Sequence, residues 1–167
     1  MSKRWYGELT NRLEEGQNFT GRELRAGDDI TEYLWSDRHC YYIDEVITPK
    51  RIKVRPYYVC ADREKADGMG HQDWLYFKTW DERNKYLCKY FPSDDPNEHR
   101  EEPRAETWVF RYNKWMREHF VTEMRHPDAY TKREREQFEK NGWCFTYSNL
   151  TGKVSFGVRD YYYDWEF

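Results

Sequence analysis

Four side chains that could do chemistry stand together in one short stretch, Ser36-Asp37-Arg38-His39. They supply a hydroxyl, a carboxylate, a guanidinium and an imidazole. A guanidinium can fork onto the oxygens of a phosphate or carboxylate, so Arg38 predicts anion binding here, with Ser36 and Asp37 beside it. The alternative is a turn in which Ser36 or Asp37 bonds its own backbone and Arg38 pairs with an acid.

A second candidate stretch runs from Asp67 to Gln72 and has a glycine on each side of Met69. Glycines permit a backbone nest that binds an anion, with His71 and Gln72 reading a base or an amide. The stretch is not a Walker or Rossmann fingerprint, because no Gly-Lys-Ser/Thr and no βαβ unit accompanies it. The alternative is a tight loop with Met69 plugged into the core.

Basic residues alternate along a third stretch, where Arg51, Lys53 and Arg55 share one face of a predicted strand close to Tyr57 and Tyr58. The cations could follow phosphates while the rings stack on bases. A solvated strand face is the simpler explanation of the same pattern. Arg55 is retained as a candidate ligand contact.

A fourth candidate lies in the predicted last strand, where rings alternate with acids. Arg159 has the same parity as Tyr161, which the pattern assigns to the core. A buried arginine needs a partner, so Arg159 must meet an acid such as Asp37 or reach an opening that holds a ligand. Tyr162 lies on the opposite face of this strand and is a candidate contact.

The sequence contains no Ser/His/Asp or Cys/His order typical of nucleophilic catalysis. His71 with Asp73, or His39 with Asp37, could act as acid–base groups, but such neighbours are common on surfaces. The cysteines lie far apart and form no Cys-x-x-Cys pair, so we expect reduced, mostly buried thiols and no metal site or cofactor. These are Cys40, Cys60, Cys88 and Cys144.

The composition indicates a single domain, 1–167, with an unusual core. Charged residues make up 35% of the chain and the mean hydropathy is −1.22, yet 19% of residues are aromatic. The core is therefore expected to consist of Tyr, Trp and Phe. A net charge of −3 argues against a general nucleic-acid binder, and no apolar run approaches a membrane span of about 20 residues.

Periodicity and turn residues predict an α+β fold. We expect a small bent antiparallel sheet or SH3-like β-barrel with two to three peripheral helices. Residues 1–25 read as an N-terminal helical extension and 92–105 as an exposed polar excursion. Strands are predicted over 30–35, 40–47, 51–59 and 74–77, hairpins over 108–120 and 143–158, and helices over 3–15, 80–90 and 131–140. A helix from 113 onward is the alternative to the first hairpin.

The order of four motifs resembles that of a set of small phage and prophage proteins. The motifs are the Ser36-Asp-Arg turn, the Gly68-Met-x-x-Gln loop, a lone tryptophan hairpin at Trp115, and the final Arg159-x-Tyr-Tyr-x-Asp strand. Residues 1–25, 80–105 and 122–142 are additions to the shared part. The resemblance supplies no catalytic residues and implies a setting, namely action on host machinery.

These observations favour a non-enzymatic, phage-type immune-evasion protein in the host cell cytoplasm that sequesters a small phosphorylated, nucleotide-derived host signal. The alternative is a protein-binding inhibitor of a host defence effector, such as a CRISPR nuclease, using an acidic aromatic surface that includes 94–102. A third hypothesis is a nucleotide phosphodiesterase or hydrolase. Exposed tyrosines are common at interfaces, so a homodimer is a reasonable expectation.

Overall fold

The computed structural model describes residues 23–34, 37–65, 73–92, 94–95, 97–98, 100–150, 153–157, 159 and 161. The predicted helix over 3–15 and nearly all of the predicted last strand lie outside these residues. The described part is dominated by antiparallel strands with two α-helices, which confirms the α+β prediction. No helix within it is long and apolar enough to cross a membrane.

The strands are β1 Asp29–Tyr33, β2 Arg38–Thr48, β3 Arg51–Pro56, β4 Tyr58–Ala61, β5 Trp74–Phe77, β6 Glu106–Arg111, β7 Lys114–Val121, β8 Cys144–Asn149 and β9 Lys153–Phe156. Seven of them form one antiparallel sheet in the order β8-β7-β6-β3-β2-β1-β9, and β4 pairs with β5 in a separate two-stranded sheet. The helices are α1, Trp80–Leu87, and α2, Lys132–Asn141.

The large sheet is strongly coiled, because its two edge strands are consecutive in the chain. In a flat sheet β8 and β9 would lie six strand spacings, about 29 Å, apart. The link from Asn149 to Lys153 spans at most about 15 Å. The rings of Trp115 on β7 and Phe156 on β9 confirm the coiling, since their centroids are 5.4 Å apart. The described residues show no β8–β9 ladder, so the sheet is coiled but is not a closed barrel there.

Two irregularities in β2 help the sheet to bend. The β2–β3 register shifts between Ile43 and Glu45 and again between Val46 and Thr48. Bulges of this kind increase the local twist and bend the strand that carries them. The concave side holds the apolar core, formed by Ile30, Tyr41, Ile43, Ile52, Val54, Trp108, Leu150, Val154 and Phe156.

An ionic network crosses this core. The carboxylate of Glu32 on β1 is 1% exposed and accepts hydrogen bonds from Arg117 Nη2 on β7 at 3.0 Å and from Tyr41 Oη at 3.1 Å. Arg117 Nε donates to Glu106 Oε2 at 2.8 Å, and Trp108 Nε1 donates to the same oxygen at 2.9 Å. Although burial opposes charge on Arg117, these hydrogen bonds and the two carboxylates raise its pKa.

The predicted 143–158 hairpin is wrong in its pairing, although both of its strands exist. β8 pairs with β7, and β9 pairs with β1 at the other edge of the sheet. The short polar link after Asn149 resembles a hairpin loop, but Leu150 within it is buried in the core. Alternation identifies a strand without identifying its partner, and here the link joins the two edges of the sheet.

The predicted strand over 51–59 is interrupted. Pro56 ends β3 because proline cannot donate to a ladder. Tyr57 N still donates to Cys40 O at 3.0 Å, and the chain then leaves the large sheet as β4. The hairpin over 108–120 is confirmed, with its turn at Tyr112 and Asn113.

Both helices begin where the cap residues predict. Thr79 Oγ1 accepts from Glu82 N at 3.2 Å before α1. Thr131 and Glu134 form the predicted capping box before α2, which ends at Gly142 with φ of +75°. The polar excursion is anchored to α1, since Asn84 Nδ2 donates to Asp95 O at 2.8 Å and Trp80 Nε1 to Glu98 O at 3.1 Å.

Replacing Arg117 by Met tests the interior network. The substitution leaves the buried Glu32 carboxylate without its cation, so we expect the free energy of unfolding in urea to fall by about 3–5 kcal/mol. Lys53→Met is the control, because Lys53 forms an exposed ion pair with Glu45 and should cost about 1 kcal/mol or less. Equal losses in the two variants would contradict the role given to Arg117.

The Tyr41 hydroxyl predicts a specific loss of stability in alkali. Burial, followed by the charge of Glu32, raises its pKa above the usual value near 10. Stability from this group is fully present below pH 10 and declines as the pH rises further, because the unfolded chain loses the proton first. The decline should reach about 1.4 kcal/mol per pH unit. Urea unfolding between pH 9 and 11 should show a shallower decline for Tyr41→Phe, whereas an unchanged slope would contradict this assignment.

Candidate functional site

The convex side of the sheet carries a second set of packed rings. Tyr42 alternates with the core residues Tyr41 and Ile43 and therefore faces away from the core. Its ring centroid is 5.1 Å from that of Tyr57, which is 5.8 Å from that of Tyr76 on β5. The β4–β5 sheet thus packs against β2 through tyrosines. We call Tyr42, Tyr57, Trp74, Tyr76 and Tyr161 the ring cluster.

Two cations lie on the faces of these rings. Arg159 Cζ is 4.6 Å from the centroid of Tyr76 and 5.5 Å from that of Tyr57. Lys78 Nζ is 4.8 Å from the centroid of Tyr42. Neither cation has a carboxylate within ion-pair distance in the part of the chain that the structure describes. Both charges are therefore held by ring faces, an arrangement that leaves polar N–H groups for another acceptor.

The hydroxyl of Tyr57 is fixed beneath Arg159. It donates to Asp29 Oδ1 at 2.7 Å. Burial raises the pKa of Tyr57, and the hydrogen bond and charge of Asp29 raise it further, against the opposing effect of Arg159. Tyr57 is thus neutral at physiological pH, and its proton is committed to Asp29.

The segment around Arg159 lies against the start of β2. Tyr161 N donates to Tyr76 Oη at 2.8 Å, and the Tyr161 ring meets that of Trp74 edge-on at 4.7 Å. The same ring stacks on His39 with centroids 6.4 Å apart. The structure therefore brings His39, in the first predicted stretch, next to Tyr161, in the predicted last strand.

The structure describes some of the predicted site residues and not others, and those that it describes lie in different places. Arg38 lies at the start of β2 with Cζ 5.8 Å from the Tyr33 centroid, and Asp37 O closes the preceding turn by accepting from Leu34 N at 2.8 Å. Arg159 lies on two rings of the ring cluster, and no ion pair joins it to Asp37 within the described segments. Ser36, Met69, His71, Gln72 and Tyr162 lie outside the described residues.

Arg55 lies beside the cluster but is already engaged. It is opposite Tyr42 in the β2–β3 ladder. Its Nε donates to Asp44 Oδ2 at 3.1 Å, and its Nη1 donates to Pro103 O at 2.9 Å. Its charge is matched by Asp44, so Arg55 is a weaker anion contact than Arg159 or Lys78.

Sequence reasoning missed the contributions of β5 to this site. Trp74 and Tyr76 stand at alternate positions, so β5 places both on one face, and Lys78 follows directly after the strand. That spacing was visible in the sequence and indicates two rings side by side. The contact of Tyr76 with Arg159 joins residues far apart in the chain and had no local signal.

The described residues contain no group of three or more His, Cys, Asp or Glu side chains that could hold a metal ion. The four cysteines are free thiols, and Cys40, Cys60 and Cys144 are buried. Comparison of the chain with protein-family models, with curated proteins and with solved structures finds no match.

Proposed function

We propose that this protein binds a small phosphorylated molecule of the nucleotide class at the ring cluster. The observation that carries the proposal is the placement of Arg159 on the faces of Tyr57 and Tyr76 with no carboxylate partner among the described residues. A guanidinium has five N–H donors, so Arg159 can contact the Tyr57 hydroxyl and still offer donors to the oxygens of a phosphate.

Lys78 and the rings extend the same recognition. The ammonium of Lys78 adds a second positive charge on the opposite side of Tyr42 from the core. Ring edges and faces of the cluster offer surfaces on which a planar base can stack. A chain with a net charge of −3 can thus present a local anion site.

The chemistry favours capture of the ligand rather than its turnover. Tyr57 has a raised pKa and supplies no phenolate base near neutral pH, and its hydroxyl already donates to Asp29. Together with the resemblance to phage proteins, this supports a role in immune evasion, in which the protein sequesters a nucleotide signal in the host cytoplasm.

Isothermal titration against a panel of nucleotides tests this proposal. The panel comprises cyclic mononucleotides, cyclic dinucleotides and ADP-ribose derivatives. We expect saturable binding of at least one member, and Arg159→Gln should weaken it about tenfold or more, because a charge-assisted hydrogen bond is lost. Lys78→Gln should weaken it to a smaller extent.

Arg63→Gln is the matched control, because Arg63 also stacks on a ring, that of Phe91 at 5.0 Å, away from the cluster. The Arg63→Gln variant should bind the nucleotide with the same affinity as the unmodified protein. Recovery of unchanged ligand after incubation would agree with capture. No saturable binding across the panel, or binding that Arg159→Gln leaves intact, would refute the proposal.

A further inference from the structure

A groove lies between helix α2 and the convex face of the sheet, on strands other than those of the ring cluster. Its volume is about 660 Å³, and its walls come from the β6–β7 turn, from β8 and from α2. Gln137 holds the helix against the sheet, since its Oε1 accepts from Phe145 N at 3.4 Å. We call this the α2 groove.

Three cations line the α2 groove and have no ion pair within the described segments: Arg111, Arg133 and Lys140. The two acids on its wall are engaged elsewhere. Glu134 Oε2 accepts from Thr131 N at 2.7 Å in the capping box, and Glu136 lies 3.8 Å from Lys132 Nζ. Glu134 keeps its charge in the capping box and Glu136 is paired with Lys132, so the three cations leave an excess of positive charge in the groove.

The mouth of the groove presents an aromatic ring in an unfavourable backbone conformation. Tyr112 is 80% exposed and has φ of +52°, a region that bulky residues rarely adopt. Asn or Gly is favoured at this position of the turn. Arg111 Cζ lies between two rings, 4.1 Å from the Tyr147 centroid and 5.5 Å from that of Tyr112. The Tyr112 ring is thus exposed beside a cation and contributes little to the stability of the fold through burial.

The cations are spread along the groove. Arg133 and Lys140 are separated by seven residues of helix, which places them about 10 Å apart along its axis. One phosphate cannot reach both, so an anionic ligand that uses both must carry charges at intervals. An exposed ring beside spaced cations is the arrangement that binds unpaired bases and their backbone.

We propose that the α2 groove binds a short segment of single-stranded nucleic acid, with a base stacked on Tyr112 and phosphates on Arg111, Arg133 and Lys140. The net charge of −3 argues against wide electrostatic binding, so contact is confined to this groove. The proposal does not depend on the ring cluster, since it uses none of the same residues.

Fluorescence anisotropy with labelled oligothymidine and oligouridine of about eight nucleotides tests the proposal. Both single strands should bind, and the slope of log K against log salt should be about −2 for three phosphate contacts. Arg133→Gln and Lys140→Gln should each weaken binding and reduce the slope by about 0.7. Tyr112→Asn should weaken binding about tenfold without loss of stability, because Asn suits the turn.

Arg135→Gln is the control, since it removes the same charge from the same helix at a residue outside the groove lining, whose partner Asp128 also lies outside it. It should leave affinity and slope unchanged. Equal binding of a duplex of the same length would overturn the proposal, because paired bases cannot stack on Tyr112. Absence of binding at 50 mM salt, or equal effects of Arg135→Gln and Lys140→Gln, would also overturn it.

Discussion

The contact between Glu32 and Arg117 across the interior of the sheet constrains the rest of the structure. The two residues lie on β1 and β7, which would be about 19 Å apart in a flat sheet of this strand order. A carboxylate that is 1% exposed is tolerated only with a charged, hydrogen-bonded partner. Coiling of the sheet brings Arg117 next to Glu32. The Trp115–Phe156 contact and the short β8–β9 link require the same coiling.

Coiling also gives the sheet a convex side that single elements can cover only in part. The β4–β5 sheet covers part of it through Tyr57 and Tyr76, and α2 covers another part over β8. Cations at these two places rest on ring faces: Arg159 and Lys78 beside one layer, Arg111 beside the other. A chain rich in both rings and charges can thus keep positive groups available for anions despite its acidic balance.

Local features of the fold could be predicted from the sequence, because short-range chemistry determines them. The Thr131–Glu134 capping box and the strands on either side of Tyr112-Asn113 are examples. Strand partners could not be predicted where a local link suggested a hairpin, as between β8 and β9. Alternation along the strand places Glu32 on the core face, the same face as Ile30. Its partner Arg117 lies 85 residues later in the chain, so this ion pair could be recognised only from the arrangement of the sheet.

The candidate site likewise combines features that the local sequence predicts with features that only the fold determines. The alternation of residues in the predicted last strand indicated that Arg159 meets an acid or reaches an opening. The structure instead places its guanidinium on the rings of Tyr57 and Tyr76. The cation–ring contacts depend on how β4–β5 packs against β2, which no spacing in the sequence encodes.

The most direct test of the coiled sheet is solution NMR of the labelled chain. Nuclear Overhauser effects should join the ring protons of Trp115 on β7 and Phe156 on β9. In an uncoiled sheet β7 and β9 would be about 24 Å apart, so these effects would not be seen. Their absence, in a spectrum that retains the β6–β7 contacts, would contradict the account.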